Sequence, residues 1–271
     1  MVGSVNTNVG AQVALQNLNV TGTDLASVQK RISTGLRVSD AVDNGAVFAI
    51  AQGLRSDISA IGTVNGQLGA AKGMLNVANA AGMGVSNTMA DVRNVLVQLA
   101  DANVTGNARA QLNAQYGTLK TAIENYIAGA SYNGSNLLSS GSINKAVIQD
   151  ISANQYFLQA QDLDANVTMA LSSVTDATGA ASLLAGGFVS AQNFVGTALN
   201  SIAAQAKFLD NQITFNNAIS DATTQGLGAL VDADLAKESA RLQSLQIKQQ
   251  LGTQSLGIAN QAPQTLLGLF R

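Results

Sequence analysis

The chain has no cysteine, no histidine and no tryptophan, and only one of its 271 residues is proline, Pro263. Aromatics make up 4% of the residues and charged residues 11%. Each shortage removes a class of chemistry. Without cysteine there is no disulfide, no thiolate nucleophile and no cysteine-bound zinc or iron–sulfur centre. Without histidine there is no Ser-His-Asp triad, no histidine-ligated haem and no HExxH zinc site. The net charge is −2 with lysine and arginine scattered, which argues against nucleic acid as a partner. No run of 18 apolar residues occurs, so no membrane insertion is expected. The first residues, "MVGSVNTNVGAQ", hold neither the basic nor the apolar part of a secretory signal. No glycine-rich phosphate loop follows a strand, and no cofactor is expected.

What is present is apolar and neutral-polar. Hydrophobic residues reach 46%, too many for a disordered chain. Charge lies far below the ~25% usual in globular domains, so asparagine, glutamine, serine and threonine must do much of the wetting. Such a surface repels its neighbours weakly and favours self-association.

The strongest pattern runs from Leu54 to Leu99. Leu54, Ile61, Leu68, Leu75, Gly82, Met89 and Leu96 recur every seven residues. Asp57, Val64, Ala71, Ala78, Val85, Val92 and Leu99 follow three behind. These are the a and d positions of a coiled coil, and the small residues Ala71, Ala78 and Gly82 predict close approach of a partner helix. A candidate partner is the stripe Val195, Leu199, Ile202, Ala206, Leu209 and Ile213. A third helix is expected from Ala108 to Ile127, with Leu112, Leu119, Ile123 and Ile127 inward.

Between Gly129 and Gly179 the helical period fades. "SYNGSNLLSSGS" is turn chemistry, and "AVIQDISANQYFLQA" predicts a β-hairpin near residues 140–162. "VTMALSSVTDATGAAS" has little apolar bulk and reads as an exposed loop. Two terminal stripes complete the pattern: Leu15, Leu18, Leu25, Val28 and Ile32 near the start, and Leu235, Leu242, Leu245 and Leu256 near the end, continuing to Leu266, Leu267 and Leu269. Lone amphipathic helices of this length are marginal in water, so the two ends are expected to pair. Their remaining apolar faces then need neighbouring chains. Glycine-marked polar breaks at Gly35–Asn44 and "DATTQGLGALVD", Asp221–Asp232, predict two linkers between inner and outer helical blocks. The expected fold class is mainly α: a long antiparallel coiled-coil bundle with one small β-hairpin and paired terminal helices.

Sites for catalysis are few. Asp40 with Asp43, and Asp232 with Asp234, stand before helices, where carboxylates cap exposed amides. Asp162 and Asp164 flank a turn with too few oxygen ligands nearby for calcium. Arg31 or Arg37 is expected to pair with Asp232, Asp234 or Glu238, within or between chains.

Several segments resemble bacterial flagellins of the short kind without outer domains: "NTN" at Asn6–Asn8, "RISTGLRVSDAVDNGAVFAI" at Arg31–Ile50, "SYNGSNLL" at Ser131–Leu138, and the whole of Leu230–Arg271. The resemblance implies an inner domain from residues 1–34 and 233–271 lining a filament core. It implies spoke linkers at 35–46 and 221–232 and a bundle with a β-hairpin at 47–220. It also implies a secreted, extracellular subunit that leaves the cell unfolded through the flagellar type III apparatus and polymerises into the filament. The partners implied are the chain itself, alone or with paralogous flagellins, plus an export chaperone, the filament cap and hook-junction proteins. Arg31, Gly35, Arg37, Asp40, Asp43, Asn44, Asp232, Asp234 and Glu238 would then serve polymerisation. Thr168, Ser172, Ser173, Thr175, Thr178 and Ser182 are candidates for O-glycosylation, by the same resemblance. Gly45 and Val47 depart from the family's usual Ala and Gly. "MADVRNVLVQ", Met89–Gln98, departs from the stretch read by the innate immune flagellin receptor at Asp91 and Asn94, while Arg93 matches; weakened recognition is expected. Two other readings stay open, a hook–filament junction protein and a surface adhesin that binds polysaccharide. For the latter, Tyr126, Tyr132, Tyr156 and Phe157 would be the sugar-stacking candidates. An enzyme is not expected.

Overall fold

A computed structural model describes the backbone of residues 7–268 and the side chains of residues 7–261. Among the described residues six α-helices and four short strands follow in chain order: α1 (Val9–Thr34), α2 (Ala41–Leu99), α3 (Gly106–Gly129), β1 (Ser131–Tyr132), β2 (Ser135–Asn136), β3 (Lys145–Ile148), β4 (Gln155–Leu158), α4 (Ala177–Ala185), α5 (Gly187–Val231) and α6 (Leu235–Gly268). The chain divides into two compact units, one of residues 1–56 with 222–271 and one of residues 57–221.

The second unit holds the larger core. From Ile61 to Leu99 every a and d position of the heptad pattern is buried, Gly82 included, while Asp57 at the edge of the unit is exposed. Val195, Ala198, Ile202 and Leu209 of α5 join the same core, and Tyr116, Ile123 and Ile127 of α3 close it. Leu112 and Leu119 are only partly buried against it. At Gly82 the expected close approach is real: a Cβ there would lie 2.8 Å from Leu199 Cδ2. Two effects oppose each other in Gly82→Ala. The new methyl crowds a leucine tip that can turn aside, at about 1 kcal/mol. Alanine also favours the helix over glycine by roughly 1 kcal/mol. Gly82→Ala should therefore leave the midpoint of denaturant unfolding nearly unchanged, and a large drop in the midpoint would show Leu199 to be rigidly held.

Two small hairpins, not one, interrupt the helices. β1 and β2 pair antiparallel around Asn133 and Gly134, both at positive φ, the backbone that an Asn-Gly turn favours. β3 and β4 pair antiparallel with Lys145 opposite Leu158 and Ile148 opposite Gln155. Three points of α5 hold this second hairpin. Gln205 Oε1 accepts from the Gln159 N–H at 2.7 Å. Phe208 stacks on Tyr156 with centroids 4.1 Å apart. Asn216, only 3% exposed, and Gln212 both donate to the Gln149 carbonyl, at 3.1 and 3.2 Å. The four α5 residues lie within three turns of one helix face. Tyr116 donates its hydroxyl to the Ser172 carbonyl at 3.0 Å, and burial pushes its pKa up to about 12.

Two expectations are corrected. "VTMALSSVTDATGAAS" is not an open loop: Asp164–Thr168 forms a π-helical turn, α4 begins at Ala177, and Val167, Leu171, Val174 and Ala180 are buried. The linker expected at Asp221–Asp232 is helical as far as Val231, because Leu227, Leu230 and Val231 close a small cluster with Val38 and Ala51. Only residues 232–234 separate α5 from α6.

Candidate assembly interface

The first unit is built around the break after α1. Helix α1 stops because Gly35 turns left-handed, with φ of 70°, a conformation glycine adopts without a Cβ clash. The chain then runs against the end of α5. The Arg37 and Val38 N–H groups both donate to the Val231 carbonyl, at 2.7 and 3.3 Å, and the Ala233 N–H donates to the Gly35 carbonyl at 2.9 Å. The Arg37 guanidinium donates to the Leu230 carbonyl at 2.5 Å. It serves one of the orphan carbonyls at a helix C-terminus; the pairing with Asp232, Asp234 or Glu238 open to it from sequence does not form within the chain. Buried Val38, Ala51 and Val231 lie beneath this crossing.

Two caps then restart the helix. Asp40 Oδ1 accepts from the Val42 and Asp43 N–H groups at 2.9 and 3.1 Å. Asn44, extended at φ −165°, accepts from the Val47 N–H at 3.1 Å. Asp43 accepts from the Ser39 N–H and hydroxyl, both at 3.0 Å. Lys30 reaches across from α1 to Asp40 at 2.5 Å and to Asp43 at 3.1 Å. At the start of α6, Asp234 caps the Ala236 and Lys237 N–H groups, each at 3.0 Å. The carboxylate of Asp232 folds back over Gly228, where a Cβ would lie 2.7 Å from Oδ2.

Of the expected arginine pairs, Arg31 with Glu238 forms, at 3.3 Å. Glu238 is only 8% exposed, and both Arg31 Nε and Glu238 Oε2 are buried without a further partner. The Lys30 triad was missed because a lysine ten residues before an aspartate signals nothing until the Gly35 turn folds one toward the other.

The Lys30 triad sets a pH window. The lysine holds the Asp40 carboxyl below its ordinary value of 3.8. Hydrogen bonds from Ser39 and then Lys30 hold Asp43 lower still. Lys30 is raised above 10.5, by Asp40 first and Asp43 second. For the carboxylates the contribution to stability is present above 3.8 and is lost as pH falls through the depressed values. For the lysine it is present below 10.5 and is lost as pH rises through the raised value. Carbon NMR should therefore show Asp43 titrating well below 3.8, with the break intact from pH 4 to pH 10. A midpoint for Asp43 at or above 3.8 would contradict this.

Helices α1 and α6 pack against each other along their length, yet much apolar surface stays open. Val9, Val13, Leu15 and Val20 on α1 and Leu235, Ile247, Leu251 and Ile258 on α6 are exposed. Leu15, expected inward, lies off the shared seam. Val42, at the break, is 94% exposed and Ile50 is 56% exposed. Asn6, Leu269 and the side chains of Leu266 and Leu267 lie outside the described residues. In the second unit Ser172, Ser173, Thr175, Thr178 and Ser182 are exposed, but Thr168 is 6% exposed and its hydroxyl is bonded to Asp164. Thr168 is therefore corrected: it offers no accessible hydroxyl. Asp91, Arg93 and Asn94 point outward from α2. Among the described residues no cluster of acidic side chains could hold a metal, and no helix is long and apolar enough to cross a membrane.

Long paired helices, small hairpins and a wide uncovered apolar face define a structural, helix-built protein. Comparison with known proteins says which. The family model for the bacterial flagellin N-terminal helical region matches residues 5–142, and that for the C-terminal helical region matches residues 172–270. Flagellin FljK of Caulobacter vibrioides is 33% identical over 271 residues, covering all of this chain and 99% of that one. Flagellin FljJ of the same organism is 37% identical over 281 residues, again covering all of this chain and 99% of its own. A flagellin of Brucella melitensis is 35% identical over the whole of both chains. A protein from Vibrio parahaemolyticus described as a flagellar hook-associated protein shares the fold, with a TM-score of 0.58 at 13% identity, over 70% of this chain and all of that one. Bacillus cereus flagellin does so with a TM-score of 0.51 at 20% identity, over 54% of this chain and 86% of that one. The chain belongs to the flagellin family and is a structural subunit of the flagellar filament.

Proposed function

We propose that copies of this chain polymerise through the open apolar faces of α1 and α6 and the outer side of the 35–46 break. The observation that carries this reading is the exposed row on those two helices, from Val9 to Val20 and from Ile247 to Ile258. Apolar side chains left open in that number are costly to keep in water. In this reading residues 1–34 and 233–271 form the filament core, residues 35–46 and 221–232, the latter helical as far as Val231, form the spokes, and residues 47–220 form the bundle. The chain travels unfolded through the flagellar type III apparatus, held before export by a chaperone, and meets the filament cap and hook-junction proteins outside the cell. Arg31, Gly35, Arg37, Asp40, Asp43 and Asn44 shape the break that neighbouring subunits contact, together with Asp232, Asp234 and Glu238. The exposed hydroxyls of Ser172, Ser173, Thr175, Thr178 and Ser182 are available for O-glycosylation.

Seeded assembly tests the proposal. Purified full-length chain added to short filament fragments should extend them into long filaments visible by negative stain. Persistent monomers with intact termini would refute it. The fold likeness to the Vibrio protein keeps a junction role as the second reading, which seeds that accept only one added layer would favour.

A further inference from the structure

The α1–α6 pairing raises a question of register. On α1, Leu18, Leu25 and Ile32 recur every seven residues, with Thr21 and Val28 between them. On α6, Leu245, Gly252 and Ala259 recur every seven as well. All eight are buried or half-buried. The contacts keep one antiparallel alignment throughout. A Cβ on Gly10 would lie 4.0 Å from Ala259 Cβ, and one on Gly252 would lie 3.9 Å from Leu18 Cβ. Arg31 meets Glu238. Twenty-one residues separate Gly10 from Arg31, and twenty-one separate Glu238 from Ala259.

Two seams with the same seven-residue repeat can slide by one repeat, about 10 Å, and still set apolar layer against apolar layer. Asn8, which donates to the Ala259 carbonyl at 2.7 Å, cannot prevent this, because a helix offers a carbonyl at every residue. Glu238 can. A slide toward the start of α1 brings Glu238 opposite Asp24, carboxylate against carboxylate. A slide the other way carries Glu238 past Thr34, where α1 ends, and sets the Arg31 guanidinium against buried Leu245. Within the span of α1, only the observed register sets a cation opposite Glu238.

We propose that Arg31 and Glu238, with Asp24 one repeat away, are the register key of the terminal helix pair. Their geometry fits that role better than one in stability. The pair makes a single 3.3 Å contact and leaves Nε and Oε2 buried and unused, and buried ion pairs often add little net stability while fixing alignment. A pair displaced by one repeat would present the wrong row of side chains to any neighbour. Arg31 and Glu238 are thus positioning residues.

The absence of native cysteine makes the test direct. Three reporter pairs are placed in full-length chain: Leu18→Cys with Gly252→Cys for the observed register, and Ala11→Cys or Leu25→Cys with Gly252→Cys for the two displaced ones. The Cβ separation at Leu18 and Gly252 suits a disulfide. Intrachain closure is read on non-reducing gels, in soluble and seeded samples alike, so the result does not depend on filament formation. With native charges the 18–252 pair should close about tenfold more completely than either other pair. In Arg31→Met/Glu238→Leu that preference should shrink severalfold. Asp24→Lys, on a half-buried position away from the contact, should raise 11–252 closure, because the displaced register then gains an opposite charge for Glu238. Unchanged preference in both variants would overturn the proposal, as would failure of the native-charge chain to close 18–252.

Discussion

Replacing Gly187 by alanine should destabilise the bundle unit by about 2–3 kcal/mol. Gly187 opens α5 directly after the Gly186 turn that ends α4. A Cβ at 187 would lie 2.5 Å from the Ala170 carbonyl oxygen and 2.8 Å from Leu183 Cδ1. The leucine tip could give way, but the carbonyl belongs to the backbone just after the π-helical turn and moves only if that turn moves. At the first position of a helix, alanine's advantage over glycine is small, so little offsets the clash. This is the reverse of Gly82, where the obstacle is a flexible side chain and the glycine sits in mid-helix. Denaturant unfolding of the full chain should show a lower midpoint for Gly187→Ala with an unchanged slope. An unchanged midpoint would mean that the Ala170 segment yields freely.

Val42→Asp should act in the opposite place: little effect on the folded chain, a large one on assembly. Val42 is almost wholly exposed at the break, and exposed substitutions usually alter stability by less than about 0.5 kcal/mol. If neighbouring subunits cover this side chain, the substitution removes an apolar contact and forces a carboxylate out of water. The critical concentration for seeded growth should rise at least about tenfold, equivalent to 1.4 kcal/mol per subunit added. Equal critical concentrations for the two proteins would place Val42 outside every subunit contact.

The long coiled coil was legible because its rule is simple: a seven-residue repeat puts one row of side chains inside, and from Ile61 onward that row is buried. Gly82 was legible for the same reason, since a seam position without a side chain leaves room for a neighbour. The break at Gly35 was legible from its turn residues, and the Arg31–Glu238 pair from charge complementarity between the two terminal segments. Where sequence reading failed, a local signal lost to packing. Gly226 and Gly228 looked like helix ends, yet a glycine inside a helix costs only about 1 kcal/mol, less than Leu227, Leu230 and Val231 gain by joining Val38 and Ala51. The segment after β4 looked too polar to be covered. The helical spacing of Val167, Leu171 and Val174 was the signal that could have revealed its buried side. Arg37 could not be assigned by charge at all, because its partner is a backbone carbonyl, and every residue has one.

The α5 face that holds the second hairpin carries two glutamines, an asparagine and a phenylalanine, and none of them ionises. Its grip should be indifferent to salinity, since screening acts on charges. Acid and alkali reach the hairpin itself, through the Asp150 carboxylate in its turn, which Asn154 holds below 3.8, and through the Tyr156 hydroxyl, which burial pushes above 10.0. Among the described residues the charged ties at the break, between the terminal helices and between Lys72 and Asp210 in the bundle are the places that would register the surrounding salt.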